Sequence, residues 1–378
     1  MITQNNLIQI KPNLASSEKI LPYLKAIDKN KYYSNFGPLY NLSCKKIKKK
    51  FKLKKLVPII TSSGHAALQA CCFLIKSYSK KKFILVPSFA FFSNAQVIIQ
   101  SGFEPYFLDI NPETLEPNYK DIISLKKKNN NIAAVMLISV NGKINDIEKI
   151  NNLKKKINCE IIYDCAESFI NFNRTIDKAN FLLISSFHPT KPFGANESGL
   201  IFCKNKYKNK IKTIINFGYE SARSKKTKLI SREAKNLGFN GKFSEYDAAV
   251  FLANFENFEI IKKKLFFLNM LIFSFLKTND NYLFLKGFGE KWVSNKIYII
   301  SKKINFIKIK KKFLTKNINV FTPWSILPLH RQKLFRKFRR TKMDITNNII
   351  KNIFAIPLNN DLKLHQIKHI ISVFKSIK

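Results

Sequence analysis

Seven short apolar runs alternate with helix-patterned segments between Val57 and Lys204. They begin at Val57, Phe83, Pro105, Ile132, Ile161, Phe181 and Leu200. No other feature constrains the fold as strongly. Continuous apolar strands separated by helices predict an α/β unit, a mostly parallel seven-stranded sheet between layers of helix. From about Phe266 the pattern changes. A long helix leads to apolar strands at 282–287, 296–301 and 319–324, then to amphipathic helices at 345–354 and 364–376. This predicts a smaller α+β unit, and a division into 1–265, with an N-terminal segment 1–30, and 266–378.

Two strand ends carry the candidate chemistry. The run Phe181-Leu182-Leu183-Ile184 leads into Ser185-Ser186-Phe187-His188-Pro189-Thr190-Lys191, and Glu160-Ile161-Ile162-Tyr163 ends in Asp164. A lysine and an aspartate at the ends of neighbouring strands suit pyridoxal phosphate (PLP). The lysine bonds covalently to the cofactor aldehyde, and the aspartate keeps the pyridinium nitrogen protonated. A third stretch, Val57 to Leu68, runs from an apolar strand through Ser62-Ser63-Gly64-His65 into a helix. A glycine at a helix start lets backbone N–H groups face an anion, and the helix dipole adds to the attraction.

In this order the motifs resemble the DegT/DnrJ/StrS family of PLP-dependent sugar aminotransferases, which have the aspartate aminotransferase fold. The resemblance runs from about Tyr32 to the C-terminus and rests on Ser-Phe-His-x-Thr-Lys at 186–191 and Asp-x-Ala at 164–166. It implies that Lys191 and Asp164 are catalytic, and that Gly64, His65 and Ser186 hold the cofactor phosphate. Phe91, in Pro87-Ser88-Phe89-Ala90-Phe91, would cover one ring face. Asn240, in Gly238-Phe239-Asn240-Gly241, would reach the phosphate of a neighbouring subunit, which implies a homodimer with shared active sites. His188, Tyr33 and Trp324 become candidate substrate contacts, with plain packing the alternative for His188.

Several positions depart from the family pattern, Asn196 and Lys242 among them, and three others motivate a non-catalytic alternative. His65 stands where Thr or Ser is usual, and its side chain either replaces the hydroxyl contact or points away. Glu167 stands where Gln or His contacts the cofactor's phenolic oxygen. A carboxylate there would be repulsive, so the expectation is a raised pKa or a side chain turned aside. Ser198 replaces a glycine.

The implied reaction moves an amino group from an amino-acid donor, glutamate in most of the family, to a nucleotide-linked keto-sugar. Surface-polysaccharide or aminosugar biosynthesis would be its context. A degenerate, non-catalytic relative is an alternative. A basic nucleic-acid-binding protein is another, since the 378 residues carry a formal net charge of +43. The excess is almost all lysine, however, and Asn, Ile, Phe and Tyr are also abundant, as in a chain with AT-rich codons. The lysines are scattered rather than striped, and no groove-reading motif accompanies them. We therefore expect no nucleic-acid partner. The six cysteines form neither a C-x-x-C pair nor a zinc-spaced cluster. No signal-peptide pattern is visible, and the longest apolar run, 265–276, is shorter than the about 20 residues that span a bilayer. Neither metal nor membrane insertion is expected, and the expected location is the cytoplasm.

Overall fold

The computed structural model describes residues 7–223 and 230–376. Seven strands form the central sheet: β1 (Leu56–Thr61), β2 (Phe83–Pro87), β3 (Glu104–Leu108), β4 (Ile132–Ile138), β5 (Glu160–Asp164), β6 (Leu182–Ser186) and β7 (Gly199–Lys204). Their order is β1-β7-β6-β5-β4-β2-β3. All neighbours are parallel except those of β7, which runs antiparallel to β1 and β6. The strands are buried on both faces, as a parallel sheet between helix layers requires. Side chains alternate strictly. Ile161, Tyr163 and Leu183 enter one apolar core, while Ile162, Leu182 and Ile184 enter the other.

Register decides where the site forms. Asp164 ends β5 and lies opposite Ile184 of β6. Ser186 ends β6 opposite Gly199, and Gly199 is also opposite Thr61 at the end of β1. The carboxyl ends of β1, β5 and β6 thus share one sheet edge, where open α/β sheets bind ligands.

A two-stranded antiparallel sheet of β8 (Tyr219–Arg223) and β9 (Ile230–Ala234) follows. The helix Phe258–Leu276 then leads to a three-stranded antiparallel sheet of β10 (Tyr282–Phe284), β11 (Lys296–Ser301) and β12 (Ile353–Pro357). This helix runs unbroken through residues 265 and 266. Helices Phe306–Leu314, Asp344–Asn352 and Leu364–Ser376 complete the α+β part.

Two expectations here need correction. Residues 319–324 are not a strand. They contribute a single bridge between Phe321 and Ala355, and Trp324 has a left-handed backbone (φ 57°) that ends any extension. The helix expected at 345–354 stops at Asn352, and Ile353 and Phe354 open β12, fully buried. β-Branched and aromatic residues buried on both sides favour a strand there over amphipathic helix.

The two parts are joined close to the site. Asn171 donates to Val293 O at 2.8 Å and accepts from Val293 N at 3.0 Å. Asn295 donates to Thr190 O at 2.9 Å, one residue before Lys191. Farther along, Glu245 is 1% exposed and accepts from Leu39 N and Tyr40 N at 2.7 and 2.8 Å. It satisfies the free N–H groups at the start of helix Pro38–Lys50. A Cβ on Gly37 would lie 2.7 Å from the Glu245 carboxyl carbon, so the Gly-Pro turn is shaped by this close approach.

Candidate active site

The helix Gly64–Lys76 starts three residues beyond β1. Ser63 caps it, accepting from Ala66 N at 3.0 Å. Among the described residues, the N–H groups of Gly64 and His65 have no hydrogen-bond partner. A Cβ on Gly64 would lie 2.8 Å from Ser186 Cβ and 3.0 Å from Ser186 Oγ. A Cβ on Gly199 would lie 2.3 Å from Ser63 O. Glycine at both positions lets the helix start press against the end of β6. Two free N–H groups, a helix N-terminus and the Ser186 hydroxyl therefore converge.

Lys191 follows a tight turn in which its N–H donates to His188 O at 2.9 Å. It shares a cavity of about 490 Å³ with Asp164, Glu167, Gly64, Ser186 and Phe91. Trp324, His65 and His188 also line it. The lysine and aspartate expected at neighbouring strand ends are thus brought together.

Asp164 is 6% exposed. Its Oδ2 accepts from Asn94 Nδ2 at 2.6 Å and its Oδ1 from Ala166 N at 2.9 Å. Burial pushes its carboxyl above the usual range, against those two hydrogen bonds and the charge of Lys191. A cation brought beside it would relieve that cost.

Glu167 corrects the expectation. It neither turns away nor carries a raised pKa. It is 6% exposed, and its Oε1 lies 2.8 Å from Lys296 Nζ and 3.3 Å from Lys191 Nζ. Burial alone would raise its carboxyl, but the two ammonium groups outweigh burial and hold it down at about 2. Lys296 reaches the site from β11, more than a hundred residues away in sequence, and is itself 7% exposed.

His65 points away from the helix start. Its ring nitrogens lie 2.7 Å from Ser93 Oγ and 3.1 Å from Gln100 Oε1. His188 is 2.8 Å from Thr190 Oγ1 through Nδ1 and 3.1 Å from Glu197 through Nε2. Phe91 is 39% exposed and packs at a tilt against Phe92 with centroids 3.9 Å apart, leaving an aromatic surface on the cavity wall. Trp324 packs on Phe89, centroids 4.8 Å apart. Tyr33 and Asn240 are not on the walls of this cavity. Tyr33 is exposed and stacked on Tyr246, and exposed Asn240 accepts from Lys242 at 2.8 Å.

Sequence reasoning missed Asn94 and Lys296. Asn94 lies in the first turn of helix Phe92–Gln100, where a buried amide facing a strand end was its only signal. Lys296 is one lysine among many, set apart only by its place in an apolar strand.

These residues fit PLP. The glycine-lined helix start suits a phosphate, the buried Asp164 a cationic ring nitrogen, and Lys191 an aldehyde. The fold and site define an aminotransferase of the PLP-dependent class. The sequence profile of the DegT/DnrJ/EryC1/StrS aminotransferase family matches residues 15–375, and the chain belongs to that family.

Over 376 residues the chain is 25% identical to the dTDP-4-amino-4,6-dideoxy-D-glucose transaminase of Shigella dysenteriae, covering 97% of this chain and 98% of that protein. It is 26% identical to a Campylobacter jejuni UDP-4-amino-4,6-dideoxy-N-acetyl-beta-L-altrosamine transaminase over 174 residues, 45% of each protein. A crystal structure described as a PLP-dependent aminotransferase of Bacillus cereus superposes with a TM-score of 0.88 at 25% identity, covering 98% of this chain and all of that one.

Proposed function

We propose that this protein transfers an amino group from an amino acid, glutamate in our reading, to a nucleotide-linked keto-sugar. The shared cavity of Lys191 and Asp164 beside the glycine-lined helix start is the observation that carries this reading. The named relatives, which are nucleotide-sugar transaminases, support the substrate class.

When bound, PLP supplies an aldehyde carbon that accepts the amino group and a cationic ring that draws electrons from the reacting carbon. Lys191 holds that carbon at rest. Once freed by the donor, its Nζ would take the proton from the donor's Cα as general base and return it, as general acid, to the carbon that has accepted the amino group. Asp164 would keep the proton on the ring nitrogen, and Asn94 keeps the carboxylate aimed. The N–H groups of Gly64 and His65, with Ser186 Oγ, bind the phosphate. Phe91 covers one ring face, and Trp324 and His188 line the substrate's approach.

Tyr33 and Asn240 lie on the surface away from their own cavity. In the homodimer we propose, Asn240 serves the partner subunit's site. An aminosugar for a surface polysaccharide, made in the cytoplasm, is the role that fits such a reaction. No helix among the described residues is long and apolar enough to cross a membrane.

The direct test is a screen of nucleotide keto-sugars with glutamate, read by mass spectrometry. The expected result is an amino-sugar nucleotide together with 2-oxoglutarate, neither of which forms with Lys191→Ala. Loaded protein that aminates no keto-sugar would contradict the proposal. It would favour the non-catalytic reading that the departures at His65, Glu167 and Ser198 raise.

A further inference from the structure

The two ammonium groups on Glu167 are not equivalent. Attachment to an aldehyde requires Lys191 as the free amine: it loses its proton to solvent, the amine adds to the carbonyl carbon, and the C=N bond forms as the carbonyl oxygen leaves as water. Were Lys191 the only partner of Glu167, that loss would strand a carboxylate that is 6% exposed. A buried, unpaired charge is costly, so Glu167 alone would hold Lys191 as an unreactive ammonium.

Lys296 changes this balance. Its Nζ is nearer to Glu167 Oε1 than that of Lys191, 2.8 against 3.3 Å. Its side chain is 8% exposed. Its strand is tied to the loop of Lys191 through the 2.9 Å bond from Asn295 to Thr190 O. We propose that Lys296 is a positioning residue for cofactor attachment. It takes over Glu167, so that Lys191 can give up its charge without leaving a buried carboxylate alone. This inference rests on the role given to Lys191 above.

Counting charges supports it. Lys191, Lys296 and Glu167 sum to one positive charge while Lys191 is an ammonium and to zero once it is the free amine that attacks. The other groups near the cluster do not replace Lys296. Asp164 is an acid whose burial favours its neutral form. Tyr298, also on β11, is a phenol that burial, and next Glu167, holds well above its ordinary value. His188 is engaged with Thr190 and Glu197. Burial, and after the opposing Glu167 the charge of Lys191, pull Lys296 below the ordinary lysine value, so Lys296 and Glu167 depend on each other. A neutral amide at position 167 would make Lys296 dispensable.

The test uses cofactor-free full-length protein as the parent, Lys296→Met, Glu167→Gln and the double variant. Each is mixed with PLP at pH 7 and at pH 9. Covalent attachment is trapped with borohydride over time and read as the mass of the Lys191 peptide. Lys296→Met is expected to attach at least tenfold more slowly at pH 7, with a smaller deficit at pH 9. The double variant should match Glu167→Gln within threefold.

A parent-like rate for Lys296→Met, an equal deficit at both pH values, or a double variant tenfold slower than Glu167→Gln would each overturn the proposal. If Lys296→Met does not fold, as judged by thermal melting, the comparison of the double variant with Glu167→Gln decides alone. A parent that never modifies Lys191 would instead overturn the role of Lys191 itself.

Discussion

Asn94 donates its side-chain amide to Asp164 Oδ2 at 2.6 Å, and both residues are buried. A helix that follows β2 thus holds the carboxylate delivered by β5. The bond orients Asp164 toward the cavity without neutralising it, and burial keeps the carboxyl's proton affinity above normal. Burial outweighs this bond, the one from Ala166 N and the charge of Lys191, a balance that a cationic ring would redress.

Replacing Asn94 with Leu removes a hydrogen bond to a charged group, worth about 1.5–3 kcal/mol. Cofactor affinity should fall roughly tenfold or more, since about 1.4 kcal/mol is a factor of ten. Fluorescence titration of the cofactor-free variant with PLP checks this.

Asp164→Asn should separate stability from function. Because folding raises this carboxyl's pKa, the folded chain holds its proton longer than the unfolded chain. Its contribution to stability therefore declines as pH rises above the unfolded value of 3.8. The amide removes that penalty. The cofactor-free variant should melt higher than the parent at pH 7.5, while transamination falls by at least about a hundredfold, a trade common at functional sites. Calorimetry and a stopped assay read the two effects.

Gly64→Ala places a Cβ 2.8 Å from Ser186 Cβ, closer than real contacts allow. The helix start must retreat or Ser186 must shift, at a cost of about 1–3 kcal/mol. Phosphate binding should suffer more than folding. We expect a PLP dissociation constant at least tenfold higher, against a loss of only a few degrees in melting temperature.

Two glutamates give opposite pH signatures. Glu167 is held at about 2, so its contribution is complete above the unfolded value of 4.5 and is lost as pH falls toward 2. Glu116 is pushed up to about 7, first by burial, with Lys143 and Asn145 opposing. Its proton is held on folding, so stability drops as pH rises from about 4.5 through 7. Glu116→Gln should raise the melting temperature at pH 8 and leave it unchanged at pH 4. Glu167→Gln should flatten the acid limb below pH 4.5. Thermal melts across pH test both.

The sheet was legible because its strands are continuous apolar runs, a pattern that stays local in sequence. The helix Leu364–Ser376 was equally clear from its periodicity. Residues 319–324 misled because Val320, Phe321 and Trp324 read as strand, while packing against β12 and a left-handed Trp324 outweighed that propensity. The convergence of Lys191, Asp164, Gly64 and Ser186 was legible since each lies at a strand end or in the short loop that follows one. The state of Glu167 was not visible, because its sign is set by Lys296, whose proximity comes from the docking of β11. His65 was ambiguous for a similar reason, as its partners Ser93 and Gln100 belong to the next helix.

Lys191 as the point of covalent attachment is the centre of this account, and one measurement tests it most directly. Protein loaded with PLP, reduced with borohydride and digested, is mapped by tandem mass spectrometry. A single stable modification is expected, on Lys191 and absent from Lys191→Ala. Modification of Lys296 or another lysine with Lys191 untouched, or no modification at all, would contradict it.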